Sequence, residues 1–336
     1  MSSRGLEFSR EVLRRALLAR ALITSANGCM PRRSDIITLL GEYFGPSFGL
    51  KTWDTRWGKT VATPAGTEAY NVDAPSVTAR GASYTDADLD AALAGPVSEI
   101  LWDDAGKADL GRILAALATT EFAAEGVTRA LSAQAVPPNW RVGEALAEAF
   151  LVEHRGCDFP WPSGRDLKNP DASPAGTDLV GFHRTGQVAN GYRFAFGEVK
   201  TSGQESWPPS VMEGRHGLAK QLEDLRDSTQ VKDALLLYLG HHAQGKGWFP
   251  QYQSAATRYL SDPSDVSLFG VLVRDVVPKP EDLSGRAGGL AKGCPAATAI
   301  ELRAVYLPRQ SIDSLAKRAT QARAAARTKE GDHVNN

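Results

Sequence analysis

Two carboxylates and a lysine lie on neighbouring stretches of the sequence that both predict β-strands. Asp178 begins the strand predicted over 178–183, and Glu198 and Lys200 end the strand predicted over 192–200. The segment between them contains an Asn-Gly step, which is typical of a hairpin turn because both residues tolerate a positive φ angle. The sequence therefore predicts a β-hairpin that carries acids on both arms.

The alternation of apolar residues predicts how the two arms pair. With the turn centred near Val188, the facing pairs are Phe182 with Phe194, Val180 with Phe196 and Asp178 with Glu198. A strand alternates with a period of two residues, so all six lie on one face of the sheet, with Lys200 further along the same face. Two acids and a lysine are thus expected at one end of an apolar face.

Two facing carboxylates need a counter-charge. Side chains directly opposite each other in an antiparallel pair lie about 4.5–5.5 Å apart at Cβ, where like charges repel. A divalent cation would remove this repulsion, because Mg²⁺ takes oxygen ligands from one or two carboxylates and leaves positions for water and phosphate. Lys200 could then hold or deprotonate an attacking water, or offset charge on the phosphate.

The order Asp178, hairpin, Glu198-Val199-Lys200 resembles the PD-(D/E)xK nuclease superfamily, with Thr177 where the family usually has a proline. The resemblance implies a restriction-endonuclease-like α/β fold and an Mg²⁺- or Mn²⁺-dependent hydrolysis of phosphodiester bonds, with DNA as the expected substrate. It assigns Asp178, Glu198 and the backbone carbonyl of Val199 to the metal and Lys200 to the attacking water.

The same resemblance extends to the helices on either side of the hairpin. Members of the superfamily commonly have an acid on the preceding helix that ligates metal or orients water, which implies Glu144, with Glu148 as the second choice. They often have a Lys or Gln on the following helix, which implies Gln221 beside Lys220. The alternative is that all four are ordinary polar residues on exposed helix faces.

The predicted elements follow the order α-β-β-α-β around a mixed central sheet. A helix over 141–154 precedes the hairpin, and a helix over 214–228 follows it. The uninterrupted apolar run 234–239 then predicts a strand covered on both faces. Strands predicted over 266–273 and 299–307 would extend the same sheet.

Pro137-Pro138 marks the main break in the chain. We expect a mostly helical region for partner docking or regulation over 1–136, a nuclease-like domain over 137–328 and a disordered tail over 329–336. The connection over 156–176 is rich in Pro and Gly and long for a compact domain, which predicts a functional loop over the site. It contains a second acid-x-Lys triplet, but Pro and Gly are too frequent there for a sheet interior.

Composition narrows the possible partners and the compartment. Lys plus Arg number 38 and Asp plus Glu 39, so nucleic-acid binding must depend on local basic patches such as the helix predicted over 311–328. A solvated terminal helix is the default interpretation of that segment, and contact with a phosphate backbone or with a partner protein is the alternative. Three widely spaced cysteines form neither a disulfide framework nor a zinc motif, which indicates a reducing cytoplasm. No apolar run approaches the roughly 18 residues of a membrane span.

The runs G-E-x-L at Glu144, G-T-D at Asp178 and F-G-E-V-K at Glu198 also resemble nuclease subunits of bacterial phage-defence systems, Hachiman-type among them. Those subunits work with a separate helicase. Gly58-Lys59-Thr60 lacks the earlier glycine of a phosphate-binding loop, so an ATP-driven partner would be another chain. Two alternatives stay open: a non-catalytic nuclease-like module that binds nucleic acid or a partner, and a coincidental Glu-Lys pair on the surface.

Overall fold

The computed structural model describes residues 62–132, 136–166, 176–186 and 191–334, which fold around a seven-stranded sheet. The strands are β1 (Thr67–Ala74), β2 (Val77–Ser83), β3 (Cys157–Asp158), β4 (Leu179–Arg184), β5 (Tyr192–Ser202), β6 (Val266–Arg274) and β7 (Ala299–Tyr306). Their spatial order is β1-β2-β7-β6-β5-β4-β3. β6 is therefore the central strand, in agreement with the burial of every one of its residues.

The sheet is parallel in its middle and antiparallel at both edges. β2, β7, β6 and β5 run parallel to one another. β1 pairs antiparallel with β2, and β4 pairs antiparallel with both β5 and β3. Parallel neighbours require long crossover connections, and helices supply them here. The predicted α/β class with a mixed central sheet is confirmed.

Helices cover both faces of the sheet. They are α1 (Asp86–Ala94), α2 (Pro96–Trp102), α3 (Asp104–Leu117), α4 (Glu121–Ser132), α5 (Asn139–Arg155), α6 (Leu218–Asp227), α7 (Thr229–Ala243), α8 (Phe249–Ser261), α9 (Ser284–Ala291) and α10 (Leu315–Val334). Successive side chains of β5 point to opposite faces of the sheet and so contact helices on different sides. Thr201 approaches Gly143 of α5, whereas Phe194 and Phe196 belong to the core that includes Leu222 of α6.

The predicted hairpin register is confirmed, because Val180 pairs with Phe196 and Phe182 pairs with Phe194. The strands predicted over 266–273 and 299–307 are also confirmed, as β6 and β7. The strand predicted over 234–239 is wrong: this run lies inside helix α7. There Leu239 is buried while Leu237 is 59% exposed, the pattern of a helix with one covered side. The Ser228 hydroxyl caps this helix by accepting a hydrogen bond from the Val231 N–H.

The region before Pro137 contributes more than helices. β1 and β2 belong to it, and they extend the same sheet that carries β4 and β5. Its first 61 residues lie outside the described part of the chain. At the other end, α10 continues to Val334 and so runs into the tail predicted to be disordered. Within the described ranges, no helix combines the length and apolarity needed to cross a membrane.

Candidate active site

The acids of the hairpin come together at the end of the β4–β5 ladder. The last paired residues are Leu179 and Gly197, so Asp178 and Glu198 occupy the next position along the ladder. The two carboxyl groups are close enough for each to shift the pKa of the other. The Val199 N–H donates to Asp178 Oδ2 at 2.8 Å, which fixes the Asp178 carboxylate against β5. The spatial relation predicted for Asp178 and Glu198 is therefore present.

Lys200 lies beside this pair, with Nζ 3.7 Å from Glu198 Oε2. Glu198 is only 3% exposed, and its Oε2 atom has no hydrogen-bond partner in the described structure. A buried carboxylate oxygen without a donor is costly, because it has lost water without replacement. The Glu198 Oε2 atom could therefore bind a cation or accept a hydrogen bond.

Burial raises the pKa of both acids, and the charge of Asp178 raises that of Glu198 further. Burial, followed by the charge of Asp178, raises the pKa of Glu198 to about 9, while Lys200 opposes the shift. Burial also raises the pKa of Asp178, although the Val199 N–H and Lys200 lower it. Without a cation, the pair therefore holds a proton at neutral pH. A divalent cation could take the place of that proton.

Glu144 of α5 joins the same electrostatic cluster. It is buried, and its Oε2 accepts a hydrogen bond from Arg141 Nη1 at 2.6 Å. Burial, then the charge of Asp178, raises the pKa of Glu144 to about 7, and Arg141 lowers it. Glu148, one turn later, is also buried and lines a cavity together with Asp178. The alternative that both glutamates are exposed is wrong.

Gln221 lies on the helix that covers this part of the sheet. In the ladder, Glu198 pairs with Gly270 of β6. A Cβ atom at Gly270 would come within 2.6 Å of Leu222, so α6 crosses the sheet at the level of Glu198. Gln221 is half-buried, and its Oε1 atom is enclosed without a partner in the described structure. Gln221 therefore lies on the helix that packs against Gly270, the ladder partner of Glu198, and its role in the site stays a prediction.

Basic side chains of α6 and α10 form ion pairs with nearby acids. Lys220 is exposed and pairs with Asp224 at 2.7 Å within α6. In α10, Arg318 contacts Asp86 and Asp90 of α1, and Arg323 contacts Asp104 of α3. These pairs connect α10 to its neighbouring helices. The structure therefore favours a packing role for Arg318 and Arg323 over a contact with a nucleic-acid backbone.

The residues fit a small oxygen-binding cation such as Mg²⁺ or Mn²⁺ better than a metal bound by His and Cys side chains, such as zinc. In the parts of the chain that the structure describes, no three His, Cys, Asp or Glu side chains are grouped so as to hold a metal. Mg²⁺ does not require such a group, since it binds one or two carboxylates and retains several waters. Asp178, Glu198 and the Val199 carbonyl could hold it, and the unpartnered Glu198 Oε2 is consistent with that role.

A cavity of about 390 Å³ opens beside the acids. Its lining includes the acids Asp178 and Glu148 and the aromatic residues Trp161 and Tyr238. Sequence reasoning predicted a functional loop over 156–176 but did not identify these aromatic residues. Tyr238 had been assigned to a strand, and only its position in α7 brings it to the cavity. No signal in the sequence links it to Trp161.

Comparisons with known proteins do not place the chain in a family: no protein-family model matches it, and no curated protein matches it significantly. A functional proposal therefore depends on the geometry of the site and on the short motifs that resemble the nuclease superfamily.

Proposed function

We propose that this chain is a metal-dependent nuclease that hydrolyses phosphodiester bonds in DNA. The observation that carries the proposal is the position of Asp178 and Glu198 together at the end of the β4–β5 ladder, with Lys200 Nζ 3.7 Å from Glu198 Oε2. A stable fold gains nothing from two buried acids that repel each other, whereas a cation-binding site needs them. Buried titratable groups with shifted pKa values, next to a cavity, are typical of functional sites.

The order of elements supports the proposal. Helix α5, strands β4 and β5, helix α6 and strand β6 follow the α-β-β-α-β order that the resemblance implies. The final strand of this order is β6, reached after α7 and α8, and not the run 234–239. β5 and β6 are parallel neighbours, so Glu198 and Lys200 lie inside the sheet and not at its edge.

Each residue of the site has a defined task in this reaction. A divalent cation, held by Asp178, Glu198 and the Val199 carbonyl, would supply Lewis-acid stabilisation of the charge that develops on the phosphate. The Val199 N–H orients the Asp178 carboxylate. Lys200 holds the attacking water or a phosphate oxygen by hydrogen bonding. In the overall reaction, water adds to phosphorus, one P–O ester bond breaks, and the leaving oxygen takes up a proton.

Glu144 and Gln221 are the supporting residues in this proposal. Arg141 fixes the Glu144 carboxylate, whose raised pKa of about 7 suits a group that exchanges a proton with water. The buried and unpartnered Gln221 Oε1 can accept a hydrogen bond from a water in the site.

The proposal includes a role in phage defence beside a separate helicase. This part is supported by the resemblance of the runs at Glu144, Asp178 and Glu198 to nuclease subunits of such systems. A helicase would supply the strand separation and the ATP hydrolysis that this site has no chemistry for. The alternative is a module of the same fold that binds nucleic acid or a partner without cutting.

The test is cleavage of plasmid and circular single-stranded DNA with Mg²⁺ or Mn²⁺. Wild type is compared with Asp178→Ala and Lys200→Ala, and with Lys246→Ala as an exposed lysine outside the site. Circular dichroism verifies that each variant is folded. Cleavage that is lost in the two site variants and kept in Lys246→Ala supports the nuclease. DNA binding without cleavage by any form, also after addition of the helicase partner, favours the non-catalytic module.

A further inference from the structure

The cavity beside the acids is large enough for part of a substrate. Its volume of about 390 Å³ falls within the range of about 300–1,000 Å³ that is typical of ligand pockets. Asp178 belongs both to the acidic pair and to the cavity wall, and Thr177 and Leu179 beside it line the cavity as well. A group inside the cavity would therefore be adjacent to a phosphate at the acidic pair.

The described part of the wall favours an uncharged ring over a phosphate group. Leu235, Val180 and Phe159 supply apolar surface, and Trp161 and Tyr238 supply aromatic surface. The described lining contains Glu148, Asp166 and Asp178 but neither Lys nor Arg. Three acids repel a phosphate group. A flat, uncharged ring with N–H donors at its edge matches both the aromatic surface and the carboxylate acceptors.

The aromatic side of the cavity is held in place by its own hydrogen bonds. Asp166 accepts from Trp161 Nε1 at 3.0 Å and from the Tyr238 hydroxyl. His242 stacks on Trp161, with ring centroids 4.0 Å apart and planes inclined by 14°. The wall is therefore formed before any ligand binds, which lowers the entropic cost of binding.

One polar group of the wall has no use inside the protein. The Ser163 hydroxyl oxygen is enclosed and has no hydrogen-bond partner in the described structure. A buried hydroxyl without a partner is unfavourable, unless a water or a ligand satisfies it. Ser163 is thus a lining residue with an unsatisfied polar atom, independent of the acidic pair.

We propose that this cavity holds one unpaired nucleobase next to the phosphate that is cleaved, so that the substrate is single-stranded or locally unpaired nucleic acid. This inference rests on the proposed nuclease function of Asp178, Glu198 and Lys200. A base inside a duplex is stacked and paired and cannot enter a pocket without leaving the helix. An unpaired base can enter and pack against aromatic side chains at little cost.

The test measures binding separately from cleavage. The Lys200→Ala protein with Mg²⁺ is titrated into a short fluorescein-labelled single strand, the same strand in a duplex, and single strands with one abasic site at each position in turn. Leu235→Trp, added to this protein, fills the cavity. Leu237→Trp is the matched control, since it makes the same substitution on the exposed side of the same helix.

We expect the single strand to bind more tightly than the duplex. One abasic position should weaken binding about tenfold, within the range that one stacked base contributes. Leu235→Trp should weaken binding of the intact strand by a similar factor and remove the effect of the abasic site, whereas Leu237→Trp should change neither. The abasic series alone tests the inference if Leu235→Trp does not fold.

The outcomes separate this inference from the proposed function. Suppose that DNA is cleaved, but that no abasic position weakens binding or that duplex binds as well as the single strand. The base-pocket inference is then wrong and the proposed nuclease function stands. If no DNA is cleaved with either metal but the abasic effect is present and Leu235→Trp removes it, the pocket remains and the nuclease is wrong. A failure to bind any single strand contradicts the pocket.

Discussion

Replacing Glu198 by Gln should stabilise the metal-free protein while it abolishes cleavage. Glu198 is almost fully buried, and burial and Asp178 raise its pKa from 4.5 to about 9. The folded protein therefore keeps this proton at pH 7, whereas the unfolded chain has released it. An acid whose pKa is raised by folding stabilises the folded state fully below pH 4.5, and this contribution is lost as the pH rises towards 9.

The expected size follows from the two pKa values. Each pH unit between the pKa of the unfolded chain and that of the folded protein lowers the free energy of unfolding by about 1.4 kcal/mol. Because pH 7 lies about 2.5 units above the pKa of Glu198 in the unfolded chain, the stability lost at pH 7 is about 3 kcal/mol. Glutamine has nearly the same shape, keeps a donor for Asp178 and does not titrate. Glu198→Gln should therefore raise the free energy of unfolding at pH 7 by up to about 3 kcal/mol.

Urea unfolding between pH 5 and pH 8 in EDTA measures this difference. The free energy of unfolding should fall less steeply with pH in the variant than in wild type. A residual fall below pH 7 should remain in the variant, because burial raises the pKa of Glu144 to about 7. Mg²⁺ at about 100 times its Kd should add about 2.7 kcal/mol to the wild type and little to the variant. Glu205→Gln, an exposed glutamate after β5, is the matched control.

A Glu198→Gln protein that is clearly less stable than wild type at pH 7, with an unchanged pH slope, would refute this reasoning. Glu198 would then be an ordinary ionised carboxylate in an ion pair with Lys200. Equal stabilisation of wild type and variant by Mg²⁺ would show that the cation binds elsewhere. Either result would also remove the main support for the proposed catalytic site.

Three further substitutions test the scaffold around the site. Arg274→Ala should cost about 3–5 kcal/mol in urea unfolding, because it leaves the fully buried Asp282 carboxylate without its ionic partner, although the neutral Tyr306 hydroxyl still donates to it. Gly181→Ala should lower the melting temperature and cost about 1–3 kcal/mol, since a Cβ atom there would collide with the Asp158 carbonyl where β3 meets β4. Gly126→Ala has open space in α4 and should instead stabilise by about 0.5–1 kcal/mol, which calorimetry can measure. Equal effects at the two glycines would contradict the close approach of β3 and β4.

The local pattern of apolar residues was sufficient to predict the hairpin and its register. Phe182, Phe194 and Phe196 must all face the core, and a shift of one residue would turn every one of them towards the other side. The pairing of Asp178 with Glu198 follows from the same register. The pattern failed at 234–239, because six apolar residues in a row fit a buried strand and a half-buried helix equally well.

Which residues gather around the acidic pair was decided by the tertiary structure. Arg141 holds Glu144 in place, and α6 brings Gln221, and not Lys220, towards the covered side. Helical spacing alone predicts neither result. Adjacent residues on a helix point in different directions, and only the packing of the helix determines which of them faces the sheet.

The sequence by itself therefore determined the strands of the site and the identity of its two acids and its lysine, because alternating burial and turn chemistry act over short distances. Only the tertiary structure decided the cavity, in which Asp166 meets Tyr238 from 72 positions away. Contacts across such separations depend on how α7 packs against the sheet, which is settled by the burial of the whole core and not by any local pattern.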